Sequence, residues 1–261
     1  MTTADPLFSL AGKTALVTGG TSGIGAMIAT GLAKRGVRTY VTGRDLSRTS
    51  EVARQLAQDS DGEVIALAAD FADASSPSAL AAKLSIRENA LHILVNNAGT
   101  NCDGDLADLT EEAWDEVMAV NLRAPIFLVK MLTPMLKSAS QPGDPARVVN
   151  VGSIGGLHVP NWEAHPYGAS KAALHQITRS LAKSLGKDNI TVNAIAPGPF
   201  PSKMHDTTSE ATRSSIATYI PAGRAGEAED AQGVVIFLAS RAGAYVNGHV
   251  IPLDGGYIGA L

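Results

Sequence analysis

The sequence contains a single cysteine, Cys102, among its 261 residues. One thiol cannot form an intramolecular disulfide, and a cysteine-rich metal site needs several such side chains. No metal-binding motif is visible elsewhere in the sequence. We therefore predict neither a disulfide framework nor a metal in the functional site.

Clustered positive charge is also missing. Lys and Arg together number 21 against 25 Asp and Glu, the net charge is -4, and no run of five or six like charges occurs. A nucleic-acid-binding protein needs a clustered basic surface to neutralise phosphates. We therefore expect no nucleic acid as the main partner.

Long apolar runs are absent too. No apolar stretch approaches the ~20 residues that a membrane-spanning helix needs. The N-terminal residues have neither the basic region nor the apolar core of a signal peptide. These absences predict a protein that does not enter a membrane and lies in the cytoplasm.

Apolar residues, by contrast, make up 45% of the chain, and they recur in short β-branched runs separated by longer helical patterns. The strand patterns lie at 13–18, 37–42, 64–69, 93–96, 148–151, 191–195 and 250–253. The helical patterns lie at 23–35, 46–58, 76–86, 111–136, 164–185 and 228–239. This alternation predicts an α/β fold, a Rossmann-type doubly wound parallel sheet of about seven strands with helices on both faces. We expect one domain over 1–261, with an irregular, lid-like loop at about 197–223.

A glycine-rich turn follows the first strand and opens the first helix. Glycine lets the backbone approach a pyrophosphate without a Cβ in the way. The free N–H groups at the start of the helix also favour negative phosphates. The plainer interpretation is a turn that serves packing alone. We favour a phosphate cradle, which would consist of Gly19, Thr21, Ser22, Gly23, Ile24 and Gly25.

Several motifs resemble those of one protein family. The spacing from Thr18 to Gly25 resembles the T-G-x-x-x-G-x-G cradle of the short-chain dehydrogenases/reductases, not the G-x-G-x-x-G fingerprint. Asn96-Asn97-Ala98-Gly99, Tyr167-Gly168-Ala169-Ser170-Lys171 and Asp254-Gly255-Gly256 resemble further motifs of that family, so the likeness spans nearly the whole chain. It implies an oxidoreductase that uses a nicotinamide cofactor.

The end of the second strand bears on which nicotinamide cofactor is used. An acidic residue there would bind the ribose hydroxyls of NAD, but the strand ends at Gly43 and Arg44 follows. Arg44 can pair with the 2′-phosphate of NADPH. Asp45 is the rival, since it is either the ribose carboxylate of an NAD enzyme or the cap of the next helix. We favour NADPH as the cofactor.

The resemblance implies further cofactor-binding residues at the ends of other strands. Asp70 matches the family residue whose neighbourhood contacts adenine, although a solvated carboxylate at a strand end is the alternative. The remaining residues that the resemblance places around the cofactor are Phe71, Asn97, Ala98, Gly99, Tyr167, Lys171, Pro197, Gly198, Ser202 and Met204.

Tyr167 and Lys171 lie four residues apart in a helical pattern and therefore project from one face. When a hydride reaches a carbonyl carbon, the oxygen must receive a proton, and a free tyrosine has a pKa of about 10. A nearby ammonium lowers that pKa, so we expect Lys171 to do so for Tyr167.

The resemblance adds two residues to the predicted catalytic group. Ser153 would hydrogen-bond the substrate oxygen and hold it against the phenol. Asn121 would fix a water molecule that links Lys171 to solvent. The alternative for Asn121 is an amide whose hydrogen bonds are satisfied within the core.

Loops outside the strand ends are expected to form the substrate pocket, because substrate selectivity in this fold comes from them. The candidates are Ile154, Gly155, Trp162, His165, Phe200 and Met204. Trp162, Phe200 and Met204 would give a largely apolar wall suited to a hydrophobic acyl or aryl group.

Within the family, the sequence resembles the NADPH-dependent 3-oxoacyl reductases. We therefore predict reduction of a 3-oxoacyl thioester, or another hydrophobic ketone, to a secondary alcohol. One alternative is an NAD(P)-dependent dehydrogenase that oxidises a sugar, a steroid or another secondary alcohol. Another is a cofactor-binding regulatory protein without catalysis. The resemblance also implies a homotetramer.

Overall fold

The computed structural model describes residues 5–159, 163–201 and 209–260. The strands in this part of the chain form one seven-stranded parallel sheet with the order β3-β2-β1-β4-β5-β6-β7. They are β1 Thr14–Val17, β2 Arg38–Gly43, β3 Val64–Ala68, β4 Ile93–Asn96, β5 Ala146–Val151, β6 Ile190–Pro197 and β7 Val250–Leu253. The predicted doubly wound parallel sheet is confirmed.

The helices connect consecutive strands and cover both faces of the sheet. They are α1 Gly23–Ala33, α2 Leu46–Ser60, α3 Ser76–Ser85, α4 Glu111–Met118, α5 Ala124–Ala139, α6 His165–Leu185, α7 Glu210–Tyr219 and α8 Ala228–Ala239. Most predicted helices and strands end within a few residues of these bounds.

Two buried clusters explain why the strands are almost continuously apolar. Leu16 and Leu94 pack in one cluster with residues of α3, α5 and α6. Their neighbours Ala15 and Val95 pack in the other cluster with residues of α1, α2 and α8. Successive side chains of a strand point to opposite faces, so a sheet covered on both faces needs apolar residues at every position.

The strand order places a crevice at the carboxyl ends of the two central strands β1 and β4. The chain runs from β1 outward to β2 and β3, and then returns to β4 on the other side of β1. The loops that follow β1 and β4 therefore diverge, and a doubly wound sheet binds its ligands at this point, beyond the carboxyl ends of the strands.

The helix predicted at 111–136 is interrupted. A π turn, Ala119–Arg123, separates α4 from α5. It contains one of the predicted site residues, Asn121. Single π turns inside α-helices are frequent at functional sites.

The predicted irregular loop at 197–223 is wrong in one respect, because it contains α7. Ser209 caps this helix by accepting a hydrogen bond from the backbone N–H of Thr212 at 3.2 Å. Glu210 adds a negative charge in the first turn, which favours a helix start.

The stretch Glu111–Ala139 is long and apolar enough to cross a membrane by length and composition, with a mean hydropathy of 1.3. This differs from the expectation drawn from the apolar runs. In the fold, Leu128 and Leu132 of this stretch are fully buried in the cluster that covers the sheet. One side of the stretch therefore packs in the core, although less than half of its apolar window is buried.

A buried charge lies at the amino ends of the strands, on the side of the sheet opposite the crevice. Arg147 at the start of β5 is 1% exposed. It donates to the carbonyls of Leu238 and Ser240 at the end of α8, at 3.0 and 2.8 Å. Asp144 accepts from Arg147 at 3.1 Å and pairs with Lys13 at 2.6 Å. The guanidinium thus caps α8 and ties it to the sheet.

Candidate active site

The glycine-rich turn lies at the crevice between β1 and β4. Gly19 has a φ of +62°, and a Cβ built on it would lie 2.9 Å from the Cα of Ala98. A methyl group at Gly25 would overlap the side-chain amide of Asn97. The turn therefore packs directly against the segment after β4, and side chains at these two positions would fill the cradle.

Thr18 and Asn97 hold the two segments together. The Thr18 hydroxyl accepts from the backbone N–H groups of Asn97 and Ala98, at 2.9 and 3.0 Å. The Asn97 amide donates to the carbonyls of Thr18 and Gly19, at 2.9 and 3.0 Å. The structure thus brings Gly19, Asn97 and Ala98 together. Thr18 is not among the residues predicted for the site, although the motif begins with it.

The helix that follows the turn begins at the cradle. Ser22 has extended backbone at the N-cap position of α1, where its side chain makes no capping hydrogen bond, and Gly23 has a φ of +53°. The free N–H groups of the first turn face the region predicted to take the phosphates. Thr21, Ser22, Gly23 and Ile24 therefore lie where a pyrophosphate would bind, and the residues present fit a dinucleotide.

The end of β2 separates the two candidate ribose residues. Arg44 is exposed. Asp45 caps α2, because its carboxylate accepts from the backbone N–H of Arg48 at 2.8 Å. A methyl group at Gly43 would overlap the hydroxyl of Thr49, so no larger residue fits there. The capping interpretation of Asp45 is confirmed, and Arg44 is free to meet a 2′-phosphate.

Asp70 and Phe71 follow β3 with different exposures. Asp70 is exposed, and its carboxylate accepts from the backbone N–H of Ala72 at 3.2 Å. The side chain of Phe71 is buried in the core with α3 and α5. Any contact of Phe71 with a cofactor would therefore come from its backbone.

Tyr167 and Lys171 lie on one face of α6, one turn apart. The Nζ atom of Lys171 lies 5.5 Å from the centroid of the Tyr167 ring and donates to the carbonyl of Val151 at 2.8 Å. Burial lowers the pKa of Lys171 to about 8. The ammonium is therefore held at the end of β5 and loses its proton more readily than a surface lysine.

The Tyr167 phenol differs from the expectation in one respect. Burial raises its pKa, a hydrogen bond with Ser153 lowers it, and the negative charge of Asp103 raises it. The lowering expected from Lys171 is not among these effects. The result is a neutral phenol close to the Ser153 hydroxyl, which suits a proton donor.

Asn121 is fully buried at the π turn. Its amide accepts from the N–H of Thr100 at 2.8 Å and donates to the Thr100 carbonyl at 2.9 Å. It also donates to the Ser170 hydroxyl at 3.0 Å, and Ser170 donates to the carbonyl of Tyr167 at 2.7 Å. Asn121 thus connects the segment after β4 with the first turn of α6.

Asn121 and Lys171 face the same space. A Cβ built at Gly99 would lie 3.4 Å from Oδ1 of Asn121 and 3.6 Å from Nζ of Lys171. The hydrogen bonds of the Asn121 amide fit the alternative of satisfaction within the core, and the predicted water relay stays a prediction. Thr100 and Ser170 were not predicted, since Thr100 contributes only its backbone N–H and carbonyl and Ser170 a short hydroxyl, and neither gives a signal in the sequence.

Of the predicted pocket residues, Ile154 and Gly155 follow Ser153 directly. A Cβ at Gly155 would lie 3.4 Å from the Ser153 hydroxyl and 3.8 Å from the Tyr167 ring. His165 is exposed, and its Nε2 atom lies 3.3 Å from the carboxylate of Glu163. Ile154 and Gly155 thus border the reacting groups, whereas His165 lies at the surface.

The prediction that Phe200 forms a pocket wall is wrong. Its side chain is 3% exposed and packs in the core cluster with α1 and α8. A methyl group at Gly226 would overlap its ring, so the ring fills the space that this glycine leaves. Apolar character alone does not tell a core residue from a pocket residue.

The end of β6 completes the described part of the site. Pro197 ends the strand, and a Cβ at Gly198 would lie 3.0 Å from the Cα of Asp254. The predictions for Trp162, Ser202 and Met204 concern residues outside the described ones.

The arrangement supports one kind of chemistry. A neutral phenol, a serine hydroxyl and a buried ammonium meet at the carboxyl edge of β5, beside a cradle for phosphates. The phenol and the serine can hydrogen-bond one carbonyl oxygen, and the phenol can give it a proton.

Comparisons with known proteins agree with this geometry. A family model described as "Enoyl-(Acyl carrier protein) reductase" matches residues 19–258. The rhamnolipids biosynthesis 3-oxoacyl-[acyl-carrier-protein] reductase of Pseudomonas aeruginosa is 41% identical over 254 residues, which is 97% of this chain and 98% of that protein. The 2-dehydro-3-deoxy-D-gluconate 5-dehydrogenase of Dickeya dadantii is 36% identical over 262 residues, 96% of this chain and 97% of that protein.

A solved structure is similar over the same length. The Pseudomonas aeruginosa RhlG/NADP active-site complex superposes with a TM-score of 0.92 at 41% identity, covering 97% of this chain and 99% of that chain. The two folds are therefore alike over nearly the whole length of this chain.

Proposed function

The chain belongs to the short-chain dehydrogenase/reductase family, and from this premise we propose that it reduces a 3-oxoacyl thioester or another hydrophobic ketone with NADPH. It is an NADP-dependent oxidoreductase, and the similar solved structure is an NADP complex by name. The observation that carries the proposal is the meeting of Tyr167, Ser153 and Lys171 beside the glycine cradle.

The cofactor would bind along the carboxyl edge of the sheet. When bound there, NADPH would supply the hydride for the carbonyl carbon. The turn from Gly19 to Gly25 would hold its pyrophosphate, and Arg44 would pair with its 2′-phosphate. The remaining cofactor-binding predictions, including Asp70, Gly99 and Pro197, stay part of this proposal.

The protein's own residues provide the proton and the orientation. The Tyr167 hydroxyl donates a proton to the carbonyl oxygen, and Ser153 holds that oxygen by a second hydrogen bond. The Lys171 ammonium stabilises the phenolate that remains. Asn121 positions Lys171 and Tyr167 through its contacts at Thr100 and Ser170.

An uncharged acyl or ketone substrate has support from the pocket and from a relative. Ile154 and Gly155, next to the reacting hydroxyls, carry no charge. The relative at 41% identity is a 3-oxoacyl-[acyl-carrier-protein] reductase by name. The hydrophobic ketone is therefore the first substrate class to test.

A second candidate is the oxidation of a secondary alcohol in a sugar acid. It is favoured by the relative from Dickeya dadantii, a 2-dehydro-3-deoxy-D-gluconate 5-dehydrogenase by name. The same tyrosine, serine and lysine serve both directions, since a catalyst that protonates the oxygen also deprotonates the alcohol.

We extend the proposal to assembly and location. Trp114 on α4 and Phe127 on α5 are large apolar side chains at the surface, 38% and 44% exposed. Single exposed apolar residues are common on protein surfaces, so the proposed homotetramer rests on the family resemblance, with these two side chains as candidate contacts. A cytoplasmic location is the corresponding expectation.

The test is NADPH oxidation by the purified protein with acetoacetyl-CoA, followed in parallel with NADH. Turnover with NADPH alone is the expected result. Matched assays with an enoyl thioester, which lacks the ketone, and with a sugar acid plus NADP separate the alternatives. Turnover of the sugar acid without turnover of any ketone would contradict the proposal.

A further inference from the structure

His175 is a buried histidine that the proposed reaction does not use. It lies on α6, four residues after Lys171 and eight after Tyr167, so the three side chains share one face of the helix. It is 2% exposed. Its position beneath the catalytic pair is therefore fixed by the helix that carries them.

The imidazole ring contacts both ends of the segment 152–156, which carries Ser153 and is called the serine segment below. A methyl group at Gly152 would overlap the Nε2 atom of His175. One at Gly156 would lie 2.9 Å from its Cε1 atom. Gly156 in turn donates its backbone N–H to the carbonyl of Ser153 at 3.0 Å. The ring thus fills the space that the two glycines leave.

Burying an imidazole in the core costs free energy unless its nitrogens are hydrogen-bonded. No hydrogen bond of good geometry satisfies either of its nitrogens among the described residues, and only the backbone of Gly156 lies near enough to act on the ring as a weak partner. Burial lowers the pKa of His175 to about 4, the Gly156 carbonyl raises it, and the charges of Lys171 and Arg179 lower it. The imidazole is therefore neutral at pH 7, and an unpaired buried polar group calls for an explanation.

The serine segment supplies that explanation. The Ser153 hydroxyl accepts from the backbone N–H of Gly155 at 3.0 Å and lies near enough to the Tyr167 phenol to lower its pKa. The direction of this hydroxyl depends on how far the backbone of the serine segment lies from α6. A flat, rigid ring between two glycines fixes that distance, whereas a flexible aliphatic side chain would let it vary.

We propose that His175 is a positioning residue, whose ring supports the serine segment and sets the position of the Ser153 hydroxyl relative to Tyr167. The inference rests on the proposed reductase function. A small misplacement of a reacting group has a large effect on rate, up to roughly a hundredfold for about 1 Å.

A double-mutant cycle tests the contact. Gly152→Ala pushes the segment away from the ring, and His175→Ala removes its support, so each variant lowers kcat by about tenfold. The two changes are complementary in volume, so the double variant recovers most of the lost kcat. The Kd for NADPH changes less than about twofold in all three, because the cradle lies after β1.

Gly31→Ala is the matched control. Its methyl group would overlap the side chain of Gln232 on α8, away from the serine segment. It lowers the melting temperature and leaves kcat unchanged. The same split in Gly152→Ala, with a lower melting temperature and an unchanged kcat, would overturn the proposal.

Additive losses of kcat in the double variant would overturn it as well. If Gly152→Ala does not fold alone, a double variant that folds supports the contact, and one that does not fold refutes it. A wild-type protein that reduces no carbonyl rejects the proposed function first. Melting temperatures then still report whether positions 152 and 175 are coupled, so the two failures are distinguishable.

Discussion

The Nζ atom of Lys171 lies 5.5 Å from the centroid of the Tyr167 ring. It faces the ring while it donates to the carbonyl of Val151. The effect that lowers the pKa of the phenol comes instead from Ser153. The serine thus acts on the phenol itself, whereas the ammonium lies over the ring and is bonded to the end of β5.

Tyr167→Phe removes the proton donor and keeps the ring. We expect kcat to fall by about 10²–10⁴-fold, the range for a lost general acid, while NADPH binding measured by fluorescence is retained. Tyr245→Phe, at a fully exposed tyrosine, is the control and keeps full turnover. Unchanged turnover in Tyr167→Phe would reject the mechanism.

Lys171→Met makes the protein more stable and inactive. Burial lowers the pKa of Lys171 from 10.5 to about 8, so at pH 7 the folded state holds a charge that it disfavours. The unfolded state binds more protons between pH 8 and 10.5, and wild-type stability rises with pH across that window. We expect a gain of roughly 1–3 kcal/mol for the variant in urea unfolding at pH 7, and this gain shrinks toward pH 10.5.

Arg44→Ser tests which residue distinguishes the two cofactors. Loss of a charge-assisted contact with the 2′-phosphate lowers kcat/KM for NADPH by about 10–100-fold. The value for NADH stays the same. Asp45→Asn keeps a capping oxygen for α2 and serves as the control, with unchanged preference. A shift of preference in Asp45→Asn alone would mean that Asp45 binds the ribose.

His175→Leu changes how stability depends on pH. The pKa of His175 is about 4 in the folded protein and 6.5 in the unfolded chain. Between these values the unfolded state binds more protons, so wild-type stability falls as the pH drops from 6.5 to 4. We expect the variant to lose roughly 1–3 kcal/mol less over this window, as measured by urea unfolding at several pH values. Parallel curves for both proteins would contradict the buried neutral ring.

Arg147→Met tests the buried charge at the amino ends of the strands. It leaves the Asp144 carboxylate and the last carbonyls of α8 without their buried partner. Asp144 keeps its bridge to Lys13, but each buried carbonyl that loses its donor costs about 1–3 kcal/mol, so the melting temperature falls while kcat of the folded protein is unchanged. Lys13→Met removes the outer partner of Asp144 and costs less. A larger loss for Lys13→Met would show that the capping of α8 contributes little.

The sequence predicted the parts of the fold that depend on local patterns. Apolar runs identified the strands, and glycine spacing identified the cradle, because Gly19 and Gly25 each allow a close contact that any side chain would block. The cap at Asp45 was equally local, since a carboxylate before a helical pattern accepts from free N–H groups.

Long-range contacts account for what could not be predicted. The π turn at Asn121 depends on Thr100 and Ser170, which lie 21 and 49 residues away along the chain. Phe200 was misassigned because its place in the core depends on Gly226. His175 gave no signal at all, since its role follows from two glycines that only the fold brings against its ring.

The π turn restricts how the gene can change. A π turn holds one residue more than the α-helical path it replaces, so deleting a codon within 119–123 would yield an unbroken α-helix. The faces of α4 and α5 would keep their relative orientation, because the wide turn holds the extra residue without changing the phase of the helix on either side. A deletion that removes Asn121 would leave the N–H and the carbonyl of Thr100 without the amide that now binds them. The extra residue of the π turn thus adds an amide at the site while Val117 of α4 stays turned toward the core.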